Sequence, residues 1–208
     1  MKNLQKINVK LYLQDADSLS AEAAFRVFNS WIAASSDEVL IDVADYSHVG
    51  IGPMTLLIGH YANYSLDTDG GEKGVLYARK QPQEGDLNTR LKEVLKAALN
   101  ACAKLEAEDE LAGKVRFRAN DLQIVANDRL QAPNTDAAAE ELRAALDPLL
   151  KQLFAGGQYS IERDSAQSQR LNMRIRAKGS FDTQTLLDNL AAQWPLDKRG
   201  GHTIFAID

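Results

Sequence analysis

Apolar residues recur at two different periods along the chain, and the switches between them divide it into elements. In KINVKLYL, residues 6 to 13, Ile7, Val9, Leu11 and Leu13 alternate with polar neighbours, the spacing of a strand with one buried face. The period then lengthens to that of a helix. Phe25, Phe28, Trp31 and Ile32, extended by Ala21 and Ala24, share one face behind a cap at Ser18 or Ser20. EVLIDVADY, residues 38 to 46, is nearly continuous apolar sequence broken at Asp42, the composition of a central strand covered on both faces. LLIGHYANYSL and GVLYARK follow as two further strands, joined by the turn-forming DTDGGEKG. From a cap at Asn88 or Thr89 the helical period returns, with Leu91, Val94, Leu95, Ala98, Cys102 and Leu105 in one stripe. Cys102 therefore belongs to a buried face, where a thiol packs rather than reacts.

The acidic EAEDELAG, residues 106 to 113, closes that helix. Beyond it VRFRANDLQIVANDRLQAPN holds Ala-Asn-Asp twice, at 119 to 121 and 126 to 128. Asn-Asp tolerates positive φ and bonds nearby backbone, so the segment reads as a small β-meander. A third helix, capped at Asn134, Thr135 or Asp136, carries Leu142, Ala145, Leu146, Leu149, Leu150 and Leu153 and stops at Gly156 and Gly157. Pro148 inside it predicts a kink or two abutting helices. QYSIERD and RLNMRIRAK form a second strand pair, and Asp182 caps a last helix with Leu186, Leu187, Leu190 and Trp194, stopped at Pro195. HTIFAID at the end adds an edge strand.

The resulting order is β-α-β-β-β-α, then β-β-α-β-β-α with an optional last strand. It predicts an α+β fold of mixed or antiparallel sheets covered by helices. The acidic stretch marks a boundary between an N-terminal α/β module, 1–110, and a C-terminal ββαββα module, 111–208, unless one continuous domain spans both.

Charge changes this picture more than composition does. The chain is ordinary for a globular protein, with 45% hydrophobic and 25% charged residues and a net charge of -5. Residues 114–179, however, carry 11 Lys and Arg against 8 Asp and Glu, while the remainder carries 13 against 21. Strand alternation sharpens the asymmetry. With Val115, Phe117, Tyr159, Ile161, Leu171, Met173 and Ile175 turned to the helices, Arg116, Arg118, Arg174 and Arg176 collect on the opposite face beside Glu162. Four arginines on an uncovered sheet face could bind a small anionic ligand or RNA, pair with glutamates in solvent, or dock against the acidic first module or a second copy of the chain. An outward aromatic platform for base stacking is missing, which argues against nucleic acid.

The second candidate is DYSHVGIGPMTLLIGH, residues 45 to 60. His48, flanked by Asp45 and Tyr46, and His60 are available for acid-base chemistry near the end of the strand at 38 to 46. The Gly-Ile-Gly-Pro run is no dinucleotide fingerprint, since Thr55 holds the third glycine position, and no P-loop occurs, so neither nucleotide motif is present and the sequence leaves the cofactor unknown. The spacing of Asp42, Asp45, His48 and His60 matches no metal motif, and no metal is expected. The near-copies ADYS (44 to 47) and ANYS (62 to 65) flank this segment with tyrosines suited to a pocket rim. One cysteine excludes an internal disulfide, and no signal-like or membrane-spanning apolar run is seen, so a cytoplasmic protein without membrane contact is expected.

The words VLIDVADYSHV, GP, GHYANYSLD, GVLYARK and NDRLQAPN resemble a bacterial family without assigned activity, over residues 38 to 134. The resemblance implies no reaction and no residue role. The residues themselves favour a non-enzymatic binding or protein-interaction module that self-associates. The rival is a small hydrolase or isomerase working through His48 or His60.

Overall fold

Among the described residues, eight strands form one antiparallel sheet in the order β2-β3-β4-β5-β1-β6-β8-β7, and four helices pack on one of its faces. The structure, a computed structural model, describes residues 1–36, 38–50, 52–166 and 169–192. The strands are β1 (Ile7–Leu13), β2 (Leu40–Asp45), β3 (Pro53–Gly59), β4 (Ala62–Asp67), β5 (Gly74–Arg79), β6 (Phe117–Ala126), β7 (Tyr159–Glu162) and β8 (Asn172–Ala177). The helices are α1 (Ala21–Ala34), α2 (Leu87–Ala107), α3 (Asp136–Leu153) and α4 (Thr183–Ala191). The α+β class and the antiparallel sheet are those read from the periodicity. Trp194, Pro195 and the HTIFAID segment lie outside the described residues.

The first strand in sequence is central in space. β1 pairs with β5 on one side and β6 on the other, so the sheet runs across the expected boundary at residue 110, and a single hydrophobic core runs across it too. One continuous row faces the helices: Val43, Leu57, Tyr64, Tyr77, Val9, Ile124 and Met173, each register partner of the next. The neighbouring row faces away from them: Ala44, Leu56, Ser65, Leu76, Lys10, Gln123, Arg174 and Glu162. It changes from apolar to charged on crossing β1.

Two strand predictions are corrected by their neighbours. β1, expected to be half-buried, is buried along its whole length, because it lies mid-sheet and the β4–β5 connection folds over its polar side. β2, expected to be central, is an outermost strand, with Val39 and Ile41 60% and 57% exposed. Alternation reports how many faces a strand buries only when its neighbours are known.

Two strand counts also differ. LLIGHYANYSL is a hairpin, β3 and β4, turning at His60 and Tyr61. Gly59 permits the turn, since a Cβ there would lie 2.5 Å from the Ala62 carbonyl oxygen. The expected meander is a single strand, β6. Its first Ala-Asn-Asp is a bulge: Leu11 pairs with Leu122 but Leu13 with Phe117, which lets Phe117 and Ala119 point inward on one side of the bulge and Leu122 and Ile124 on the other. The second Ala-Asn-Asp does turn, with Asp128 Oδ1 accepting from the Leu130 and Gln131 amides.

Helix ends follow side-chain capping. Ser20, Asp86, Thr135 and Asp182 each accept an amide from the first turn of their helix, so Asp86 replaces the expected Asn88 or Thr89. On α1 the buried face is Ala24, Val27, Phe28 and Trp31, leaving Phe25 outside. α3 continues through Pro148, which sits one turn from its end. α2 buries the whole predicted stripe, Cys102 included, and burial pushes that thiol well above its ordinary pKa.

Candidate functional site

The uncovered face beyond β1 gathers three of the four predicted arginines. Arg118 (β6), Arg174 and Arg176 (β8) meet Asp121 on β6 and Glu72 from the β4–β5 connection. Arg174 grips Asp121 with two hydrogen bonds, Nε to Oδ1 at 2.8 Å and Nη2 to Oδ2 at 2.6 Å. It reaches Glu72 with its third nitrogen and stacks on Tyr12, 4.3 Å from the ring centroid. Arg118 takes the other Glu72 oxygen at 2.8 Å and donates to the Leu13 carbonyl, and Arg176 pairs with Glu162 at 2.6 Å. Hydrogen bonds from Arg174 and Arg118 pull the Glu72 carboxyl down to about 2. Burial pushes the Tyr12 hydroxyl up to about 12, against the pull of Arg174.

Arg116 is not part of this group. It precedes β6, and its guanidinium donates to the Val115 and Glu106 carbonyls near the end of α2. Lys10, which the sequence did not single out, is. It is 2% exposed and pairs with Asp67 at 2.7 Å, donating also to the Asp69 carbonyl at 2.7 Å. A shallow depression of about 360 Å³ opens here, bordered by Tyr12, Gln123, Asn172, Arg174 and Arg176. Its cations are already matched: Arg118 and Arg174 by Glu72 and Asp121, Arg176 by Glu162, and Lys10 by Asp67. The basic segment thus docks, through Glu72, onto the acidic first half of its own chain.

The histidine segment is the β2–β3 connection and the β3–β4 turn. His48 and His60 lie at opposite ends of β3, so they are not brought together, and both are exposed. Tyr46 stacks near His48 with ring centroids 6.5 Å apart, and His60 meets the edge of Tyr61 at 4.7 Å. Asp45 accepts from the Ser47 amide at 2.8 Å, and hydrogen bonds from Ser47, more than the nearby His48, hold its carboxyl below the ordinary range. Neither imidazole borders any of the main clefts. Among the described residues no three His, Cys, Asp or Glu side chains converge to hold a metal ion, and no helix is long and apolar enough to cross a membrane.

Two features escaped the sequence reading. The first is a groove of about 570 Å³ between α1 and α2, above β4, whose floor is Leu40, Tyr64 and Tyr77 with Trp31 at one side. Of the two tyrosines in matching contexts, Tyr64 lines it, donating to Glu38 Oε2 at 2.6 Å, and Tyr46 does not. The second is the β2 margin. Of the seven exposed large hydrophobic residues among those described, Phe25, Val39, Ile41, Tyr46, Val49 and Tyr61 fall on β2 and the segments next to it. The surrounding stretch, residues 27–72, contains seven Asp and Glu and no Lys or Arg. The Val43 amide, directed away from β3, is capped at 2.8 Å by Oδ1 of its own neighbour Asp42.

No family model matches the chain, and neither the curated proteins nor the solved structures contain a significant match.

Proposed function

We propose that this chain is a protein-interaction module whose docking surface is the β2 margin, and that its partner presents an extended segment alternating cationic and apolar residues. The observation that carries the reading is the position of β2: a strand as apolar as a central one lies on the sheet edge with Val39 and Ile41 uncovered. An exposed apolar edge strand is a template for strand addition unless something occupies it. Burying Val39 and Ile41 fully would contribute about 1 kcal/mol each.

Charge selects the occupant. Asp42 and Asp45 line the edge and neither is ion-paired among the described residues, so a second copy would bring carboxylates to carboxylates, whereas a basic segment is complementary. A partner cation that draws the Asp42 carboxylate away also frees the Val43 N–H for pairing. The exposure of His48 and His60, at opposite ends of β3 and outside the lining of the five main clefts, supports binding rather than acid-base catalysis.

Fluorescence anisotropy with a labelled Lys-Val-Arg-Val octapeptide repeat and a Glu-Val control tests this on the full chain. The cationic peptide is expected to bind at least tenfold more tightly, to weaken with salt, to shift the amide resonances of residues 39–45, and to be lost in Ile41→Lys and Asp42→Lys. Equal binding of both peptides, shifts elsewhere, or a dimer that Ile41→Lys dissociates would overturn the proposal. So would peptide binding that appears only after Phe205→Asp, since the chain's own C-terminal segment would then be the occupant.

A further inference from the structure

The groove between α1 and α2 has an explanation in the spacing of the two helices. α1 packs chiefly over β2 and β3 and α2 over β1 and β5, so β4 lies beneath the gap between the two helices. Its inward aromatic, Tyr64, therefore forms a floor with Tyr77 of β5, the two rings edge to face at 5.2 Å, and Trp31 closes the α1 side at 6.5 Å from Tyr64. A concave, aromatic-floored space of about 570 Å³ is of the size that holds small organic ligands.

The α2 wall of this groove has a regular chemistry. Glu93, Lys96, Ala97, Asn100, Ala101 and Lys104 line it. Lys96, Asn100 and Lys104 follow one another at four-residue steps, which places them in one ladder about 6 Å apart along the axis. Neither lysine has an ion-pair partner among the described residues. Lys104 instead lies over the Trp31 ring, Nζ 4.3 Å from its centroid, while the indole N–H donates to Glu108 at 2.6 Å. In a chain with net charge -5, two lysines that no carboxylate of the described residues holds in an ion pair, beside an aromatic floor, are available to an outside anion.

We infer that this groove is a binding site for a small molecule with an apolar or aromatic body and an anionic head, carboxylate or phosphate. The body rests over Leu40, Tyr64 and Tyr77, and the head meets the Lys96–Asn100–Lys104 ladder. Glu38, Glu93 and Arg79 also line the groove, so away from the ladder its charges nearly cancel, and one anionic head at the ladder is the chemistry that fits. The site is separate from the β2 margin and does not depend on the docking reading.

The test uses the full chain carrying Trp194→Phe, so that Trp31 is the one indole. 1-Naphthoate, 1-naphthyl phosphate and the neutral 1-naphthylmethanol are titrated by calorimetry and by the NMR signal of the Trp31 indole N–H. At least one anion is expected to bind tenfold or more tightly than the alcohol and to shift the indole signal, the tighter of the two identifying the head group. Lys96→Gln with Lys104→Gln is expected to reduce that affinity at least tenfold with the melting temperature unchanged, and Glu93→Gln to leave it equal or tighter. An alcohol that binds as well as the anions, an unmoved indole signal, absence of binding by all three, or a double variant with undiminished affinity would overturn the inference.

Discussion

The charged half of the uncovered sheet face and the β2 margin treat their charges in opposite ways. On the first, Arg118, Arg174, Arg176 and Lys10 are matched by Glu72, Asp121, Glu162 and Asp67. On the second, carboxylates and apolar side chains stand together with no cation in forty-six consecutive residues and no covering layer. A charge already paired with an opposite charge must break that pairing before it can hold a ligand, whereas the margin carboxylates have only hydrogen bonds from neutral donors and water to give up. The cation-rich face is therefore the place where the chain holds itself together, and the margin is the place where it has something to offer.

Substitutions separate the two regions by magnitude. Asp67→Ala should have the largest effect, about 3–5 kcal/mol in urea unfolding, because it leaves the Lys10 ammonium buried without its partner. Combining Lys10→Met with Asp67→Leu should recover most of that loss, and failure to recover it would mean that the pair is needed for more than mutual neutralisation. Glu72→Gln comes next, at about 1–2 kcal/mol near neutral pH, since it weakens the bridges to Arg118 and Arg174 at a partly exposed site.

The Glu72 effect should depend on pH with a definite sign. Its carboxyl is depressed in the folded chain, so its contribution is complete above the ordinary carboxylate range and is lost as pH falls toward about 2. Wild type and Glu72→Gln should therefore converge in stability across that acid window, and parallel curves would sink the assignment. Ile41→Lys, on the margin, should change stability by less than about 0.5 kcal/mol while removing peptide binding. Arg116→Ala should be the smallest, within about 0.3 kcal/mol, because its guanidinium meets two backbone carbonyls, one of them part-buried, and no carboxylate among the described residues. A loss comparable to that of Glu72→Gln would place Arg116 back among the structural arginines.

Much of this molecule is legible in its sequence where the signal is local. The buried stripe of α2, the caps at Ser20, Thr135 and Asp182 though not the one at Asp86, and the parity that turns Arg118, Arg174 and Arg176 away from Val115, Met173 and Ile175 follow from local spacing. What depends on neighbours does not follow. KINVKLYL and EVLIDVADY exchange their expected places because strand order, not strand composition, decides which of them has two partners. Glu72 sits in a glycine-rich connection that carries no motif, yet it joins β6 and β8 to the first half of the chain. The Lys96–Asn100–Lys104 ladder looks like any solvated helical face until the floor below it is known. The groove exists because two helices straddle a strand, and no single segment encodes that gap.

The placement of β1 bears on how the sheet can assemble. Its two neighbours arrive about seventy and about one hundred and ten residues later, so the earliest-made strand must be flanked by segments that leave the ribosome much afterwards. Loop-closure entropy makes such distant pairings slow to nucleate. Until residues 117–126 have been synthesised, β1 has an open flank.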